Sequence, residues 1–199
     1  MRVRQERERE YRRECIVEAT KQLLKEKFFN SITIDDIAIR SDFAKGSIYQ
    51  YFKNKDELMS EVFSGVLETQ CNLIEQNCLT QSDPVLALRN YLKLELEFIC
   101  LYPWGPEVRA SIPYKVFHAE NHLIDVFNKK KKLIADILQR GQAEGIFIIA
   151  DLEVLSNMII SASSGFADHL VYSSRSIDLQ CPEIEMFISI IIKGITREA

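Results

Sequence analysis

An all-α protein is predicted for this chain of 199 residues, on three observations. Apolar residues recur at spacings of three and four along nearly its whole length, helix-start signals precede several of those stripes, and no candidate strand pair interrupts them. There is also no internal repeat, and the seven glycines form no phosphate-binding loop.

The start, MRVRQERERE, is charged from the outset and carries no cleavable signal pattern. It reads as a solvated arm or the exposed beginning of a helix, from which Arg2, Arg4 and Arg7 are candidates to reach DNA phosphates or a minor groove. From Tyr11 onward Ile16, Ala19 and Leu23 share a helical face, with Leu24 beside them.

Thr33, followed three residues later by Asp36, is a capping-box pattern, so a short helix is expected from Ile34 to about Ser41. Asp42 suits a left-handed turn, after which Lys45 and Gly46 open a second short helix whose Ile48 and Phe52 point inward. Its other face, with Lys45, Ser47, Tyr49, Gln50 and Tyr51, offers a cation, hydroxyls and an amide. Such a face suits a helix laid in a DNA major groove.

In the stretch KGSIYQYFKNKDEL the chain resembles the TetR family of bacterial one-component transcriptional regulators, whose pattern resembles KGTLYxYFxxKxxL. It departs from that pattern at Phe28, where the family often has a glycine, at Asp42, which replaces a turn glycine, and at Ala44, which replaces a capping serine. The resemblance implies about nine helices. It places a three-helix helix-turn-helix DNA-binding domain at residues 1–54 and a ligand-binding and dimerisation domain at residues 55–199. It also implies DNA contacts by Thr33, Lys45, Gly46, Ser47, Tyr49, Gln50, Tyr51 and Lys55, with Gln50 at a base edge and Lys45, Tyr49, Tyr51 and Lys55 at phosphates.

Asn54 and Glu57 form a second capping-box pattern, opening a long helix to about Asn77. It is a stiff rod joining the two halves, with Lys55 in its first turn, where a phosphate is a natural ligand. Ser82, Asp83 and Pro84 start the next helix, which Pro103 ends. The segment YPWGPEVRASIPY that follows holds three of the five prolines and the sole tryptophan. Trp104 with Tyr102, Phe98 and Tyr91, joined by Phe117 and Phe166, is the candidate lining of a pocket for an apolar or aromatic molecule. Glu95, Glu97 and Glu107 leave a cationic compound open.

A further helix is expected from about His118 to Gln142, closed by Gly145, with Lys129–Lys132 as a solvated turn of that helix. Asp151 caps the next, with the stripe Leu155, Ile159, Ala162, Phe166 and Leu170. Pro182 starts the last, where Phe187, Ile188, Ile191, Ile195 and their apolar neighbours wrap most of the circumference. Such a helix needs cover from two directions. A twofold dimer meets that need, with an interface of Leu155, Ile159, Ala162, Phe166, Phe187, Ile188, Ile191 and Ile195 in a four-helix bundle.

Charge is distributed unevenly. Residues 1–60 hold thirteen Lys/Arg against eleven Asp/Glu, whereas the rest hold twelve against eighteen, within a net charge of −4. DNA attraction is therefore expected to be local. His118 and His122 stand four apart but lack a third metal ligand, and five cysteines without a C-x-x-C pair signal neither a zinc site nor a disulfide framework. With no nucleophile constellation around the three histidines and no cofactor fingerprint, neither an enzyme nor a cofactor or metal is expected. The longest apolar run, Met186–Ile192, is too short to cross a bilayer, so a cytoplasmic protein is expected. The whole points to a homodimeric repressor of a palindromic operator, released by a small-molecule effector. A helical enzyme or a protein-interaction module without DNA is the alternative.

Overall fold

The computed structural model describes residues 2–105, 107–108, 122–172 and 182–197. The fold is all-α. Among the described residues there are eight α-helices: α1 (Arg2–Glu26), α2 (Ile34–Ser41), α3 (Lys45–Ile48), α4 (Lys55–Ile74), α5 (Pro84–Leu101), α6 (His122–Ala143), α7 (Leu152–Tyr172) and α8 (Pro182–Ile195). Extended pairing among them is limited to one isolated bridge, Phe147 to Thr196. The expected start of α6 at His118, with the His118–His122 pair, lies partly outside the described residues. No helix is long and apolar enough to cross a membrane among those described.

The chain divides into two compact units, Met1–Val66 with Trp104–Leu123, and Leu67–Pro103 with Ile124–Ala199. In the first, α1 packs on α2 and α2 on α3, and Ile16 and Leu23 of α1, Ile37 of α2 and Ile48 of α3 are all nearly or wholly buried. Two ion pairs pin the end of α1 and the residue after it to α2 at the surface: Arg40 meets the Glu26 carboxylate through both terminal nitrogens, and Lys27 Nζ lies 2.7 Å from Asp36.

The second unit is built around α5, whose Leu88, Leu92 and Leu96 are fully buried. α5 starts where Asp83 accepts from the Val85 N–H at 2.8 Å. α4 ends in a π-helical turn, Glu75–Leu79. α7 and α8 both pack on α5 and meet each other through Phe166 and Phe187, whose rings are stacked 4.6 Å apart. Arg89 and Lys93 of α5 hold Glu185 of α8 at 2.6 and 2.9 Å.

α6 ends as expected at Gly145, whose φ of 72° is the left-handed value glycine accepts without strain. Gly141 is needed for a different reason: a Cβ there would meet the buried Phe147 ring at 2.1 Å. The chain end is tied to this corner by Ile148 N–H donating to the Ile195 carbonyl at 2.7 Å.

Lys129–Lys132 is a turn of helix within α6, as expected, but it is not wholly solvated: Lys130 is 7% exposed with its ammonium 2.6 Å from Glu95, itself 2% exposed. Four successive lysines must point to all sides of a helix, and the one facing α5 finds a carboxylate waiting there. The sequence alone could not show this, because the partner lies thirty-five residues away.

Candidate nucleic-acid interface

The helix-turn-helix is fixed by its caps. Thr33 Oγ accepts from the Asp36 N–H at 3.1 Å while the Asp36 carboxylate accepts from the Thr33 N–H at 2.8 Å, a complete capping box. The Lys27 ammonium and the Thr33 donors hold the Asp36 carboxyl well below its ordinary pKa. At the other end of α2, Asp42 takes the left-handed conformation (φ 59°), and the Phe43 N–H reaches back to the Ala38 carbonyl at 3.0 Å. An aspartate therefore performs the turn that the family pattern gives to glycine. Ala44, in place of a capping serine, contributes no side-chain cap to α3.

α3 is a single helical turn, continued by tight turns through Tyr51, as the Gln50 and Tyr51 N–H groups bond three residues back. Ile48 and Phe52 are buried at 0% and 1%, which faces Lys45, Gly46, Tyr49 and Gln50 outward, all exposed, with Ser47 and Tyr51 half-buried beside them. Arg13 steadies the inner side, its guanidinium 4.7 Å over the Phe52 ring and 3.0 Å from Glu61. A Cβ on Gly46 would meet nothing within 4 Å. Packing within the chain thus gives no reason for glycine at this position. Close approach of an external partner would.

Several of the expected DNA contacts have partners inside the chain, Tyr51 with Arg12 among them. Lys45 Nζ lies 2.9 Å from Asp35, an exposed pair that a phosphate can replace. Thr33 has its hydroxyl engaged with Asp36 as donor and acceptor, so its role is the cap. Lys55 also has its partners inside the chain. Its ammonium donates to the Phe29 carbonyl at 2.6 Å and lies 4.2 Å over the Phe29 ring. Burial lowers its pKa. The cation therefore latches α4 to the turn after α1. The helix start itself is capped by Asn54, whose side chain accepts from the Glu57 N–H at 2.8 Å, while Glu57 accepts from Lys53 rather than from Asn54. Lys53 is exposed, with no ion-pair partner among the described residues, a cation that motif reasoning passed over.

The candidate effector residues are not all brought together. Tyr91, Phe98 and Tyr102 follow one face of α5 and its end, with the Phe98 and Tyr102 rings 5.5 Å apart. Trp104 is buried in the first unit, Phe117 lies outside the described residues, and Phe166 is engaged in the stack that joins α7 to α8. Beside Tyr91 stands a buried polar cluster that sequence reasoning missed. Glu95 of α5 takes Lys130 Nζ on one oxygen and Gln70 Nε2, at 3.1 Å, on the other. Burial and the Glu95 carboxylate push the Tyr91 phenol well above its ordinary pKa. Two of the carboxylates considered for a cationic ligand are engaged, Glu95 by Lys130 and Glu107 by the Phe29 N–H in the first unit, while Glu97 is exposed.

The residues expected at the dimer surface differ in exposure. Ile159 and Ile188 are buried at 1% and 0% within the single chain and so belong to its core. Their helices present Val154, Met158, Met186 and Ile190, each more than half exposed, and α7 also exposes Gly165 and the expected Ala162. Leu155, Phe187, Ile191 and Ile195 are intermediate at the border.

The model of the family described as "Bacterial regulatory proteins, tetR family" matches residues 16–62. The chain is 24% identical to the HTH-type transcriptional repressor KstR2 of Mycolicibacterium smegmatis over 144 residues, covering 68% of this chain and 67% of that protein. It is 23% identical over 190 residues to the HTH-type transcriptional regulator QacR of Staphylococcus aureus, covering 92% and 97%. Its fold matches the crystal structure of the transcriptional regulator FadR from Bacillus subtilis in complex with stearoyl-CoA. That match has a TM-score of 0.74 and 17% identity, over 91% of this chain and 98% of that one.

Proposed function

We propose that this chain is a ligand-responsive DNA-binding transcriptional repressor of the TetR family, which holds a palindromic operator as a homodimer and releases it when a largely apolar or aromatic small molecule occupies the second unit. The observation that carries this reading is the exposed face Lys45, Gly46, Tyr49 and Gln50, held between the capped α2 and the latched start of α4. Residues 1–54 bind the DNA and residues 55–199 bind the effector and the second subunit. The apolar strip Val154, Met158, Met186 and Ile190 supports the dimer, because water-exposed apolar side chains on two adjacent helices gain from mutual burial. A twofold dimer would set its two reading segments about 34 to 36 Å apart, one turn of DNA.

α4 belongs to both units, its residues to Val66 counted with the first and those from Leu67 with the second. A ligand that favours one placement of the far end would therefore bias the reading segment through this helix. Switching from mostly bound to mostly released needs a preference of about 5 kcal/mol between the two states. The aromatic face of α5 supports an apolar effector, and the internally neutralised Glu95 argues against a cationic one. The relative FadR, crystallised with a long-chain acyl thioester, is a precedent for an effector of apolar body. As a DNA-binding regulator the protein would work in the cytoplasm.

Sedimentation of the protein with a selected palindromic duplex tests the assembly. Two chains, or a multiple of two, per duplex are expected, with dissociation on adding an apolar effector found by thermal-shift screening. One chain per duplex would remove the dimer.

A further inference from the structure

Residues 3–12 of α1 are exposed on every side, Val3 and Tyr11 included. A helical segment that buries nothing is marginal in water. This one carries six arginines against three glutamates in residues 1–13. Gln5, Arg9 and Arg12, spaced four and three, share one face. With Glu8 they form one wall of an open cleft of about 480 Å³, whose other wall is Gln50 and Tyr51 of the reading segment. Glu8 holds Arg12 Nη2 at 2.7 Å, whereas Arg9 has no ion-pair partner among the described residues.

We propose that this cleft clasps one backbone phosphate of the operator, next to the base pair that Gln50 faces, with Arg9 and Arg12 as its cations and Tyr51 Oη and the Gln5 amide as further donors. The proposal rests on the DNA-binding reading above. A guanidinium fork matches two phosphate oxygens, and two arginines on successive turns of one helix face can reach the same group. Glu8 cancels one of the two charges, leaving a net single positive charge across from Gln50 and Tyr51. One phosphate neutralises that charge. The same contact would order a helical segment that has nothing else to pack on. The start of α1 is then part of the DNA-binding surface, while the longer reach of Arg2, Arg4 and Arg7 is not required.

Free phosphate shares this chemistry, so the test uses DNA carrying single uncharged methylphosphonates. For the wild-type protein on its selected duplex, one symmetric pair of substitutions flanking the Gln50 position is expected to weaken binding several-fold. In Arg9→Gln that pair should cost nothing further, and the slope of log K against log salt should be smaller by about one. Arg7→Gln, two residues away and outside the cleft, should keep the sensitivity at that phosphate. Circular dichroism checks that each variant retains the helix content of the wild type. The clasp is overturned if Arg9→Gln keeps the wild-type slope and phosphate sensitivity, or if Arg7→Gln and Arg9→Gln weaken binding alike with no single phosphate lost. A wild type that binds no selected duplex at low salt would instead overturn the regulator reading, and the clasp with it.

Discussion

Replacing Lys130 with methionine should destabilise the second unit far more than any exposed lysine does. The side chain is 7% exposed and its ammonium stands 2.6 Å from Glu95, which is 2% exposed. Methionine fills nearly the same volume, so packing is largely kept, but the Glu95 carboxylate is left with the Gln70 amide at 3.1 Å as its remaining hydrogen-bond donor. An uncompensated buried charge of this kind costs about 3–5 kcal/mol. Against a total stability on the order of 5–15 kcal/mol, that is a large fraction. Urea unfolding followed by far-UV circular dichroism should show a midpoint lowered by about 1–3 M. Trp104 would be the wrong probe, since it reports on the first unit. The paired variant Lys130→Met with Glu95→Leu should recover to within about 1 kcal/mol of the wild type, because a buried ion pair and an apolar pair of similar volume are near equivalents. A single Lys130→Met variant as stable as the wild type would refute the reasoning, as would a double variant worse than the single.

Three further outcomes follow from the same contacts. Lys55→Ala should lower stability by about 1–3 kcal/mol in urea unfolding, since it removes a charged hydrogen bond to Phe29 and a cation–π contact; an unchanged midpoint would return Lys55 to the surface. Gly46→Ala should leave stability unchanged or raise it by about 0.5–1 kcal/mol, yet weaken DNA binding several-fold in anisotropy titrations, and full affinity would mean that nothing approaches Gly46 closely. Met158→Glu should yield a folded monomer in sedimentation, whereas Ile188→Glu should unfold the chain; a dimeric Met158→Glu would move the interface elsewhere.

What the sequence made legible was local. The capping box at Thr33 and Asp36, the Asp42 turn and the close of α6 at Gly145 are written in spacings of a few residues, and each forms as those spacings dictate. What it hid depends on partners far along the chain. Lys55 and Lys130 carry the same ammonium, yet one is drawn to a carbonyl twenty-six residues back and the other to a carboxylate thirty-five residues back. Residue type sets only that a cation taken out of water needs a partner, and tertiary packing chooses which. The last helix shows the same division. Its isoleucines announce burial on more than one side, but the placement on α5, with Glu185 held by Arg89 and Lys93, decides that Ile184, Ile188 and Ile192 face inward and Met186 and Ile190 outward. The aromatic residues show it too: nearness in sequence groups Trp104 with Tyr102, while packing assigns them to different units.

Selection of DNA from a random pool, run in parallel with the wild type and with Gln50→Ala, tests most directly whether the segment Lys45–Tyr51 reads sequence. The wild type should enrich a palindrome with half-sites about one helical turn apart, and Gln50→Ala should lose preference at one symmetric pair of positions. The variant should bind the wild-type site about 1–3 kcal/mol more weakly, with little change on unrelated DNA. Identical half-sites from both proteins, or no enrichment by the wild type at low salt, would contradict it.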